Sequence, residues 1–228
     1  MGKPLPAIPP GKYVRRYAIF LVGILIMSIG IALSTRAHLG TSPISVLPFI
    51  GSLVPGGLSF GVLTIIMHTT FVLIQAALLR SKFPPIQYLQ IGVGVMFGAL
   101  LDVAMWLTSW ANPTLVVAQW LQLLVGAALL AWGVTIQFAP QVLMNAGEGI
   151  VLALAQVTRI PLGRMKVIFD LTLIASGVVL SLILFHELRG VREGTIVLAL
   201  VVGVIVGWLM PSSDALMRRI LGEKPQTG

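Results

Sequence analysis

Between residues 17 and 211 the chain is a succession of apolar runs, broken only by short polar punctuation at 81–85 and 109–113. A soluble domain of this length has no means of covering so much apolar surface. The surrounding solvent must therefore be lipid, and every buried backbone N–H and C=O must find its partner within the fold. Six runs have spanning length, 17–35, 60–79, 86–107, 115–138, 165–185 and 195–211, against the roughly 17 to 25 residues that a helix needs to cross the hydrocarbon. Two shorter runs, 42–54 and 146–157, fall in the range of re-entrant or interfacial segments. The expected fold class is all-α: a polytopic membrane protein with six transmembrane helices and two short membrane-embedded helices.

Charge supports this reading. Only 10% of the 228 residues are charged, against about 25% in an ordinary globular domain. The net charge of +8 is not a nucleic-acid footprint, because most Lys and Arg sit at the ends of apolar runs rather than on one face. With the N-terminus in the cytoplasm and both short segments turning back, 12 of the 15 Lys and Arg face inside. Only Arg36, Arg189 and Arg192 then face out. Spanning short segments would move Arg80 and Lys82 outside and weaken the positive-inside bias. The expectation is a multi-pass membrane protein with both termini cytoplasmic. The first run is too long for a signal-peptide core and is read as a retained helix. Residues 1–16 form a cytoplasmic head, 17–211 one transmembrane domain, and 212–228 a cytoplasmic tail. Residues 211–214 would cap a short amphipathic surface helix in that tail. Met1 to Gly11 and Lys224 to Gly228 are expected to be flexible.

The chain also repeats itself. Gly23 and Gly30 in the first run match Gly126 and Gly133 in the fourth; Gly61 matches Gly163; Gly94 and Gly98 match Gly203 and Gly207. Repeat one is 17–108 and repeat two 115–211. Each has three crossings, so the second copy enters the membrane upside down, the inverted-topology plan of many transporters.

Charges inside the membrane are the sharpest functional signal, since each costs about 2.5–3.5 kcal/mol at a helix centre on insertion scales. Lys166 and Asp170, four residues apart, can pair on one helix face. Arg164 is expected to reach Glu148 at the start of the second short helix. His68 and Thr64 occupy the repeat-related positions of Asp170 and Lys166. This cluster is either an architectural ion-pair network or a substrate or proton pathway. His68 is either a hydrogen-bonded core residue or a proton relay. The short helices begin after His38-Leu39-Gly40-Thr41-Ser42-Pro43 and at Asn145-Ala146-Gly147-Glu148. Ser42 and Asn145 read as N-caps. Two helix tips meeting inside the membrane would form a polar site, with Thr41, Ser42 and Asn145 contributing; the bland alternative is a pair of packing plugs. Arg36, His38 and Asp102 would line an outer vestibule; the alternative is that Arg36 snorkels to water and Asp102 reaches it directly. Gly94, Gly98, Gly203 and Gly207 let helices approach closely, and the two glycine-bearing helices are expected to cross near the repeat axis.

The negative findings narrow the classes. There is no cysteine, no phosphate-binding loop, no dinucleotide fingerprint, no metal-spaced histidine pair and no serine-hydrolase motif. The expectation is a non-enzyme with no cofactor and no metal.

The chain resembles the bacterial YczE/YyaS/YitT-like family of small integral membrane proteins. The likeness is carried by Gly30 to Leu33, residues 38–43, the turn at Gly57-Leu58-Ser59 with Gly61, and 83–102 with Gly92, Gly98 and Asp102. In the second half it is carried by Gly147-Glu148-Gly149, Pro161, Gly163, Arg164, Asp170 and Gly194-Thr195. It implies a multi-pass protein of the bacterial plasma (inner) membrane and assigns no activity. The leading expectation is a transporter or channel for a small polar or anionic solute, with Glu148, Arg164 and Asp170 at its centre. The alternative is a non-transporting accessory protein that docks to a membrane partner or to a second copy of itself.

Overall fold

The computed structural model describes residues 10–140 and 143–221. Eight α-helices follow one another, with no strand among the described residues: α1 Pro10–Arg36, α2 Val46–Ser52, α3 Phe60–Leu79, α4 Leu89–Leu107, α5 Val116–Phe138, α6 Ala146–Thr158, α7 Leu162–Phe185 and α8 Glu193–Leu221. Six of them are long and apolar enough to cross a membrane. The two short apolar helices stand where expected, at Pro43–Ser52 and Ala146–Thr158, the first opening with a 3-10 turn at Pro43–Ser45. The outer surface carries the apolar side chains that lipid requires. On α7, Val167, Ile168, Leu171, Val179 and Ile183 are all exposed.

Glycine decides how the long helices meet. At the α1–α5 crossing an ideal Cβ on Gly23 would lie 3.0 Å from the Gly133 carbonyl oxygen, and one on Gly30 would lie 2.8 Å from that of Gly126. Backbone presses on backbone at both points, a separation that only glycine permits. Phe20, Ile24, Met27, Ile31 and Leu130 fill the core beside that crossing, joined by Phe97 and Leu101 of α4.

α3 packs along α4 in the same manner. A Cβ on Gly98 would stand 2.4 Å from the Gly61 carbonyl oxygen, and one on Gly94 would stand 3.0 Å from His68 Cβ. The corresponding glycines of the second half, Gly163, Gly203 and Gly207, have nothing within 4 Å of such an atom. The expected crossing of α4 with α8 does not occur. α4 turns its glycines to α3, and α1 with α5 makes the central crossing, because those two helices bring two glycines each to one line of contact.

The short helices pack onto the opposite halves. A Cβ on Gly177 of α7 would overlap Val46 of α2 at 2.0 Å, and one on Gly149 of α6 would meet the Gln75 amide of α3 at 2.5 Å. In both places a small residue faces a larger one across the two halves.

Beyond Met210 the structure departs from expectation. α8 continues through Pro211 to Leu221 without a separate surface helix. Proline removes one helical bond, to the carbonyl four residues back. That residue is Gly207, whose open surroundings leave the local backbone room to adjust. Of the ends expected to be flexible, Pro10 and Gly11 begin α1; Met1 to Pro9 and Lys224 to Gly228 lie outside the described residues.

Candidate functional site

The two short-helix tips meet. Ile44 Cδ1, at the start of the first, lies 2.2 Å from where a Cβ on Gly147 of the second would be. Around this junction the polar side chains are buried. Ser42 and Asn145 have the extended backbone of N-cap residues, but neither side chain caps its helix. The Ser42 hydroxyl donates to Ser45 Oγ at 2.9 Å, and Thr41 shares a 2.8 Å hydrogen bond with Thr35. Gly40 makes this turn possible: its φ is +108°, and a Cβ there would strike the Thr195 hydroxyl at 2.3 Å.

On the α6 side the polarity is not fully paired. Gln75, wholly buried in α3, donates through Nε2 to Gln90 Oε1 and to the Ala146 carbonyl, both at 3.3 Å. Its Oε1 has no partner, nor do Asn145 Oδ1 and Glu148 Oε2, although all three are shielded from solvent. Asn145, Glu148 and Gly149 stand at i, i+3 and i+4, hence on one face of the first turn, and Gly149 is where Gln75 Oε1 comes to rest. Three oxygen acceptors are thus left without donors around one helical turn. Such atoms cost about 1–3 kcal/mol each when left unpaired, so each calls for a partner that these side chains do not supply.

The expected charges are only partly gathered. Lys166 Nζ binds both carboxylate oxygens of Asp170, at 2.6 and 2.9 Å. This pair is close enough to Glu148 to act on it electrostatically. The expected Arg164–Glu148 pair is not formed: Arg164 is exposed, in the first turn of α7, and has no hydrogen bond or ion pair among the described residues. The helix points that side chain outward from the face carrying Met165, which packs inward. His68 is buried between Phe97 and Phe71, with ring centroids 5.3 and 6.3 Å away, and its Nδ1 has no partner. It lies two turns from Gln75 on the buried face of α3.

The three vestibule candidates each tie helix ends together. Asp102 accepts from Ser59 Oγ at 2.5 Å and from the Gly61 N–H at 2.7 Å, holding α4 to the start of α3. Arg36 Nη2 donates to the Met105 carbonyl at 2.7 Å near the end of α4. The His38 carbonyl accepts from Arg192 Nη1 at 2.9 Å.

Gln75, Gln90 and Gln137, each nearly wholly buried, carry no charge and so do not stand out among the intramembrane ions. The signal was present, since an amide within an apolar run must also find partners. Among the described residues no group of three or more His, Asp or Glu comes together as a metal site would require. A groove of about 570 Å³ runs along α7, lined by Leu47, Thr172, Ser176 and Val179 among others; none of the orphaned oxygens lines it.

No curated protein and no solved structure matches the chain, and the YczE/YyaS/YitT likeness finds no counterpart in these comparisons. The model of a family of unknown function, DUF6198, matches residues 14–211, which takes in every helix of this bundle that can span a membrane, and the chain belongs to that family.

Proposed function

We propose that this multi-pass membrane protein carries a small polar solute across a bacterial plasma membrane by exchanging the packing of two antiparallel repeats. One observation carries the reading. The two halves share their glycine positions, yet Gly61, Gly94 and Gly98 are in close contact while Gly163, Gly203 and Gly207 stand open. α3 and α4 are closed on each other; α7 and α8 are not. A chain with two equivalent hinges, one shut and one ajar, has a partner state in which the two roles are reversed. That is the rocking of one repeat against the other around a fixed central site. The paired contacts Gly23–Gly133 and Gly30–Gly126 support a local twofold relation, because each pair maps onto the other when the halves are exchanged. The distribution of Lys and Arg favours placing both termini in the cytoplasm. An anionic solute loses the contact expected for it, since Arg164 is exposed and does not face Glu148.

The absence of cysteine from the sequence makes the test clean. Gly61 touches Gly98, so Gly163→Cys with Gly207→Cys should form a disulfide under mild oxidation in membranes as α7 closes on α8. Solute uptake by proteoliposomes should stop with the crosslink and return on reduction. Two reactive cysteines that never crosslink would refute the exchange. Labelling that placed Arg80→Cys and Arg159→Cys on opposite sides of the membrane would refute the antiparallel plan. The rival reading, an accessory protein docking through the open flanks of α7 and α8, predicts no uptake under any condition.

A further inference from the structure

We infer that the first turn of α6 together with Gln75 of α3 is a binding site for a monovalent cation, either an alkali ion or a small ammonium. The inference deepens the transport reading, with the cation bound at the meeting point of the repeats. Three oxygens carry it: Gln75 Oε1, Asn145 Oδ1 and Glu148 Oε2, all shielded and all without a donor. Gln75 is 0% exposed and Asn145 7%.

The orientation of the Gln75 amide is determined by its surroundings. Its nitrogen faces two acceptors, Gln90 Oε1 and the Ala146 carbonyl. Turning the amide over would set its oxygen against the Ala146 carbonyl, a main-chain acceptor that cannot turn with it, so the carbonyl end points at Gly149. Gly149 leaves the space for it, since any side chain there would meet that oxygen at 2.5 Å.

Charge selects the ligand. A bare helix N-terminus favours an anion, but α6 already has Glu148 in its first turn, which answers the dipole. The nearest cationic side chain, Lys166, is bound to Asp170, and that pair is neutral overall. Gln137 Nε2 is an orphaned donor on α5, at a residue whose main chain packs against Gly23 of α1. What remains is one carboxylate and two amide oxygens, a single negative charge with three oxygen ligands. This suits a monovalent cation, with its other positions filled by water or by an oxygen of the solute. A divalent ion would call for more carboxylates than this turn supplies.

The purified full-length protein in detergent tests this by thermal unfolding and calorimetric titration. Sodium, potassium and methylammonium chlorides would be compared with N-methylglucamine chloride at fixed ionic strength. One of the small cations should stabilise the protein saturably, and which of them does so separates alkali ion from ammonium. Glu148→Gln and Gln75→Leu should each weaken binding about tenfold or more. Asn145→Asp, which keeps the side-chain shape and adds a charge, should tighten it; unchanged or weaker binding there would overturn the site even if the other two variants failed to fold. A wild-type response to no cation, or one set by the anion with the cation held constant, would also overturn it. Binding is read without flux, so uptake lost with binding intact counts against the transport reading alone, and uptake intact without cation binding counts against this site alone.

Discussion

The contrast between Gly98→Ala and Gly207→Ala puts a number on the asymmetry between the halves. The two positions match in the proposed repeat, and the substitution is the same single methyl. At Gly98 the new Cβ would lie 2.4 Å from the Gly61 carbonyl oxygen and 2.5 Å from Ile65 Cγ1. The carbonyl is main chain, and the β-branched Ile65 has little rotamer freedom inside a helix. α3 must therefore retreat by most of an ångström. That movement pulls on Asp102, one turn along α4, whose bonds to Ser59 and to the Gly61 N–H are 2.5 and 2.7 Å long. Overpacking of this kind costs about 1–3 kcal/mol. At Gly207 nothing lies within 4 Å, so the methyl meets no resistance, and alanine gains up to about 1 kcal/mol over glycine in a helix. That gain is common to both helical positions, so the two variants should differ by the overpacking cost, about 1–3 kcal/mol. At about 2–4 °C per kcal/mol for a chain of this length, their unfolding midpoints in detergent should separate by a few degrees or more, with Gly98→Ala below wild type and Gly207→Ala at or above it. Equal midpoints, or the reverse order, would show that the open and closed faces are not what their geometry says.

Two further outcomes follow from individual contacts. Asp102→Asn keeps the shape but removes the charge and offers one acceptor where the carboxylate used two; it should cost about 1.5–3 kcal/mol in chemical unfolding, the worth of a hydrogen bond to a charged group, and no loss would mean that α4 does not hold the start of α3. His68→Phe removes the buried, unpartnered Nδ1 from a site already walled by Phe71 and Phe97; thermal unfolding should show a gain of about 1 kcal/mol, and a loss would mean that the ring nitrogen has a partner in the folded protein.

The membrane architecture was legible because it rests on run length and composition. The six long helices and two short ones stand within a few residues of their apolar runs, since an uninterrupted apolar segment in lipid has no other way to pair its backbone. The i, i+4 pair Lys166–Asp170 was legible for the same reason: helical geometry alone brings the two together. Arg164 and Glu148 belong to different helices, and their separation depends on how α7 is rotated against α6, which no local pattern encodes. Gln75 shows the limit from the other side. Its amide is one polar residue in an apolar run, and its importance appears only when α6 brings Asn145 and Glu148 alongside it.

Length, hydropathy and helical period therefore determined which segments cross lipid, because those properties act along the chain and owe nothing to neighbours. The glycine register pointed to a duplication, but it could not say which glycines would touch. Tertiary packing decided that Gly98 is pressed against α3 while Gly207 faces open space, and that three oxygens from two helices share one unpaired turn. Both depend on the rotation and separation of whole helices, which long-range contacts settle collectively.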